Sequence, residues 1–114
     1  MTWDDWSDKD IGFALTTFIE DVNGWSLSKD ESEFYQCGTD GMSYYSVKII
    51  DINNHADMWP IILENDISLI NDGEGSIGAA HENCQQIWNK KDKAMRSAAI
   101  VFLMMKGVKP DERI

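Results

Sequence analysis

Residues 94–105, Ala94-Met95-Arg96-Ser97-Ala98-Ala99-Ile100-Val101-Phe102-Leu103-Met104-Met105, hold an apolar run of eight positions from Ala98 to Met105. Ala, Met and Leu are strong helix formers, so this stretch reads as a central helix. Asp92 is placed to cap its start by accepting backbone N–H bonds, and Gly107 with Pro110 supplies the stop. The whole span, about 15 residues, would be roughly 22 Å long. Ala94, Ala98, Val101, Phe102 and Met105 share one face, while Ala99, Ile100, Leu103 and Met104 occupy the others. The second half should therefore be buried nearly all round. Ile100 to Leu103 alone would suit a strand, but the Ala-rich start, the cap and the length favour helix. A membrane span would need about 18 or more apolar residues.

Working outward, Ser7 and Asp10 read as a capping box, and Trp6 can pack on Ile11 as a hydrophobic staple. A helix over Asp8 to Val22 follows, with Ile11, Ala14, Leu15, Phe18, Ile19 and Val22 as one stripe and Asn23-Gly24 as its end. Strands are expected at Trp25 to Leu27, Glu33 to Cys37 and Ser43 to Ile52, the last two joined by a turn at Gly38 to Gly41. Asp57 is a plausible cap for a short helix from Met58 to Asn65, with Pro60 in its first turn. Asn65 could take the left-handed conformation that ends this helix. Ile67 to Ile70 reads as a buried strand, Asp72-Gly73 as a hairpin turn and Ser76 to Ala80 as the return strand, with Gly78 marking close backbone approach or a bulge. Residues 81–91 fit either a helical turn or a strand end, and Asp111 to Ile114 reads as a frayed tail.

The formal charge is −10 over 114 residues, and its placement is uneven. Residues 1–40 carry −8, residues 41–85 carry −6 and residues 86–114 carry +4. This balance argues against general nucleic-acid or anionic-membrane binding, because phosphate contacts need Lys and Arg. It suits a basic partner, a DNA-binding protein decoyed by carboxylates that mimic phosphates, or simple solubility. Two cysteines, Cys37 and Cys84, make no disulfide framework, and the start at Met1 to Trp6 has no apolar leader, so a reducing cytosol is the expected compartment.

No catalytic or metal constellation emerges. His81-x-x-Cys84 has ligand spacing but lacks a second pair, and Asp51-x-Asn53-x-His55 fails as a calcium loop because Ala56 and Ile62 stand where glycine and glutamate are needed. His55 and His81 are available bases for Cys37, Cys84 or several serines, with no spacing that selects a pair. Lys90, Lys91, Lys93 and Arg96 crowd the start of the central helix, where its dipole disfavours cations. The acidic N-terminal half of the chain, a ligand or another protein could answer them. Trp3 and Trp59 stand outside the apolar stripes, and exposed Trp is a frequent binding anchor. The candidate binding residues are therefore Asp57, Trp59 and Arg96, with no cofactor expected.

Three segments resemble the NinX-like proteins of lambdoid phages and prophages, also described as a phage alpha-beta-alpha sandwich domain. They are Ser7-Asp8-Lys9-Asp10-Ile11, then Asp57-Met58-Trp59-Pro60-Ile61-Ile62 with Ile67-Ser68-Leu69, and Arg96 to Met105. The resemblance implies a phage accessory context and no known reaction. The expected fold is a single α+β domain over residues 1–114: a small, mainly antiparallel sheet packed with two main helices and one short helix, sandwich-like. The expected function is non-enzymatic binding of a host or phage protein through an acidic surface. The alternative is a small hydrolase or nucleotide-handling enzyme with a His/carboxylate site.

Overall fold

Nine regular elements form in the computed structural model, which describes residues 2–82 and 84–112. Helix α1 spans Asp8–Ile19 and opens on the expected capping box: Ser7 Oγ accepts from Asp10 N, and Asp10 accepts from Ser7 N, each at 3.0 Å. Trp6 and Ile11, the expected staple pair, are both buried in the core. The helix stops three residues short of Val22, with Glu20 already extended. Glu20 and Asp21 oppose the helix dipole there, and Thr16, Thr17 and Ile19 are β-branched, so the last turn has little to hold it. Val22 is nonetheless buried, carried inward on extended chain.

Strands β1 (Ser26–Leu27), β2 (Glu33–Cys37) and β3 (Tyr44–Lys48) form an antiparallel sheet in that order. The third strand is half the expected length. Its continuation leaves the sheet because Ile50 N donates to the buried Thr16 hydroxyl at 2.9 Å, and Ile52 then enters the core. Gly12 makes this crossing possible, since a Cβ there would fall on the Ile50 carbonyl oxygen.

Helix α2 spans His55–Glu64. Its cap is Asn54, whose side chain accepts from Ala56 N at 2.9 Å, and not Asp57, which lies inside the first turn. Asp57 instead accepts from Asp51 N at 3.1 Å. Pro60 falls in the second turn, later than expected, and the helix continues through it because Met58, Ile61 and Ile62 are buried. The left-handed residue after α2 is Asp66, with φ 54°, rather than Asn65, whose side chain donates to Ile61 O at 2.7 Å.

A second antiparallel sheet, absent from the single-sheet expectation, contains β4 (Ser68–Asn71), β5 (Ser76–His81) and β6 (Cys84–Lys90). β4 is only partly buried, because it forms one edge of this sheet. The undecided stretch over residues 81–91 is thus mainly strand. Gly78 pairs with Trp88, and a Cβ at Gly78 would lie 2.7 Å from that indole ring, so the glycine admits a side chain rather than the expected neighbouring backbone. On the opposite face of β5, Ala79 is fully buried.

Helix α3 spans Ala94–Met105, about 18 Å at the rise of an α-helix. Asp92 does not cap it: Lys91–Lys93 forms a 3-10 turn, and Lys93 is the N-cap with no side-chain bond. Ser97 to Leu103 are buried, whereas Met104 and Met105 are half-buried at the end of the helix. The stop is a Schellman motif: Gly107 has φ 83°, Val108 N donates to Leu103 O and Gly107 N to Met104 O, both at 3.0 Å. Helix α3 contacts α1, α2 and all three strands of the second sheet, so it occupies the centre of the core. The tail is less frayed than expected through residue 112, since Pro110–Glu112 forms a 3-10 turn and Trp6 Nε1 donates to Pro110 O at 2.8 Å. Arg113 and Ile114 lie outside the described residues. The architecture is α+β, with the first sheet joined to the body at α1 through the Phe13 and Phe34 rings, 5.1 Å apart.

Candidate functional site

Of the basic residues at the start of α3, Lys93 and Arg96 are answered from within the chain, while Lys90 and Lys91 are exposed. Arg96 Nη1 donates to Asp8 Oδ1 at 2.8 Å, and Nη2 donates to the carbonyl oxygens of Trp3 at 2.8 Å and Trp6 at 2.6 Å. Lys93 Nζ and Asn53 Nδ2 reach the other Asp8 oxygen at 3.3 and 3.2 Å. Burial raises the Asp8 carboxyl, but the hydrogen bonds from Asn53, Arg96 and Lys93 outweigh it and hold its pKa below the ordinary value. The Arg96 side chain is only 11% exposed. Arg96 therefore fastens the N-terminal segment to α3, and its guanidinium is directed at groups of its own chain. Trp3, another candidate from sequence, packs beside Trp6 with ring centroids 4.9 Å apart.

Trp59 presents a different environment. It is 47% exposed on α2, and Leu63, one helical turn further on, is 71% exposed. Pro60 and Ala56 are also exposed on this short helix. Asp57 lies beside them at a depression of about 260 Å³ that also includes Glu20, Lys48, Pro60 and Glu64. Three carboxylates thus face one lysine where α2 approaches the end of α1. Asp57 and Trp59 belong to neighbouring parts of α2, whereas Arg96 lines none of the cavities described here. The apolar run Ile61-Ile62-Leu63 suggests a core contribution from all three, but only Ile61 and Ile62 are buried; Leu63 lies four residues from Trp59 and shares its exposed face.

The two histidines are separated. His55 is exposed at the first turn of α2, while His81 lines an open polar depression of about 650 Å³ with Asp66, Ser68, Glu82 and Gln86. Among the described residues, no group of three His, Cys, Asp or Glu is placed to hold a metal ion. Cys37 is exposed and free, and the side chain of Cys84 lies outside the described set.

A third cavity, about 410 Å³, lies between α1 and the first sheet. Phe13, Ala14, Phe18, Leu27, Ile49 and Val108 contribute apolar surface to it, and Lys9, Asp10 and Glu31 its charge. Phe13 sits one position off the expected α1 stripe, which is why periodicity alone did not mark it.

The fold and these surfaces define an acidic α+β protein whose described residues include no helix long and apolar enough to cross a membrane. No protein-family model, curated protein or solved structure matches the chain significantly.

Proposed function

We propose that this chain is a non-enzymatic phage or prophage accessory protein, acting in the bacterial cytosol by binding a host or phage protein through the acidic surface around α2. The carrying observation is the exposed Trp59–Leu63 pair on the same helix that contributes Asp57 and Glu64 to the depression shared with Glu20. Apolar side chains one helical turn apart suit a hydrophobic groove on a partner, and the neighbouring carboxylates favour a basic rim around it. The resemblance to NinX-like proteins supports the phage context. Immobilised wild-type protein and Trp59→Ala, exposed to bacterial host lysate at low and moderate salt, test this reading. A partner should bind the wild type at least about 30-fold more tightly than Trp59→Ala, the scale of a hot-spot loss. Retention should also weaken with salt. Equal retention by both proteins at all salt concentrations would remove α2 from the function.

A small hydrolase or nucleotide-handling enzyme is the second reading, favoured by the single depression shared by His81, Asp66, Ser68 and Glu82. Such a set could supply a base and a nucleophile. Hydrolysis of activated esters and phosphate esters, abolished by His81→Ala in a folded protein, would support it. Turnover that is absent, or unchanged by His81→Ala, would count against it.

A further inference from the structure

We propose that the cleft between α1 and the first sheet is a binding site for a small organic cation, an ammonium group carried on an aromatic or aliphatic body. The cleft, about 410 Å³, has the size and mixed lining of a small-molecule site. Phe13, Phe18, Leu27, Ile49 and Val108 offer a surface for the apolar body. Phe18 and Leu27 remain 47% and 37% exposed, leaving apolar surface that a bound molecule would cover.

Charge selects the ammonium over a carboxylate. The ionisable side chains lining the cleft are Lys9, Asp10 and Glu31, an excess of acid in a chain whose formal charge is −10. Lys9 Nζ is 2.6 Å from Glu31 Oε2, so its charge is already answered within the protein. An anionic ligand would have to draw Lys9 away from Glu31 against the acidic field of the chain, whereas a cation shares the Glu31 carboxylate with Lys9 and follows that field. The Lys9 and Glu31 side chains are 60% and 53% exposed, so the pair can rearrange at little cost. The Phe13 and Phe18 rings add surfaces that attract a cation placed over them. This site is distinct from α2 and does not depend on the protein-binding reading.

Three matched probes test the proposal: phenethylammonium, 3-phenylpropionate and 2-phenylethanol, which share a ring and differ in charge. Each is titrated into isotope-labelled wild-type protein and Glu31→Gln, with backbone amide chemical shifts as the readout. Phenethylammonium should give saturable shifts at Phe13, Thr17, Leu27, Ile49 and Val108, with a Kd about five-fold lower than either other probe. In Glu31→Gln, its affinity should approach that of the alcohol, within about two-fold. Absence of saturable shifts, shifts confined to other surfaces, equal binding of all three probes or an ammonium preference that survives Glu31→Gln would each overturn it. Because Glu31 is exposed, the variant tests charge without emptying the core.

Discussion

Arg96 holds Asp8 and the carbonyls of Trp3 and Trp6 with one guanidinium, so truncating it leaves three acceptors to find new partners. Arg96→Met should lower stability by about 2–3 kcal/mol in urea unfolding, the scale of a charge-assisted hydrogen bond lost from a sheltered site. Arg96→Lys should recover only part of this, because an ammonium cannot reproduce the planar fork. Asp8 adds a pH signature. Its folded pKa lies below the ordinary 3.8, so its contribution is present above that value and is lost as pH falls through the lower folded pKa. Asp8→Asn should flatten this part of the acid-unfolding profile, whereas an unchanged profile would show that the pair contributes nothing. Two glycines provide another contrast. Gly12→Ala meets the Ile50 backbone, whereas Gly78→Ala meets the half-exposed Trp88 ring, which can swing aside. Thermal unfolding should show the larger loss at Gly12, about 1–3 kcal/mol for overpacking.

Capping separates α1, α2 and α3 at the level of elements. Ser7→Ala and Asn54→Ala each remove an observed side-chain cap and should cost about 1 kcal/mol, while Asp92→Ala should be near neutral because Asp92 caps nothing in α3. Chemical denaturation of the three variants checks that order, and a large loss at Asp92 would contradict it. The central helix has a stricter requirement at its middle. Val101 is 0% exposed and Phe102 is 2% exposed, so Val101→Asp or Phe102→Asp would bury a charge without a prepared partner. Neither variant should retain a cooperative thermal transition.

Across the whole molecule, stability should be unevenly distributed. The first sheet has only Phe34 buried among its strand residues, whereas Ser97 to Leu103 of α3 are buried between α1, α2 and the second sheet. Principal extents of 55 × 29 × 25 Å describe an elongated body. Amide hydrogen exchange should be fastest in β3 and slowest in the middle of α3, because sparse burial permits local opening. Uniform protection would show that the first sheet opens only with the rest of the molecule. The acidic N-terminal half and the basic start of α3 also meet at this scale, through Asp8 with Lys93 and Arg96.

The sequence by itself determined that Ala94 to Met105 is helical and stops at Gly107, the Ser7–Asp10 box and strand β2, because apolar period and side-chain chemistry act over a few residues. It also marked Trp59 and Asp57 on one short helix. Tertiary structure alone decided that β3 ends where Thr16 takes Ile50, that the strands divide into two sheets, and that Arg96 turns inward onto Asp8 and two carbonyls. The Thr16 and Arg96 contacts join partners 34 to 93 residues apart, whose meeting no local spacing encodes. The cleft beneath Phe13 is likewise a property of two packed elements, since neither α1 nor the first sheet encloses it alone.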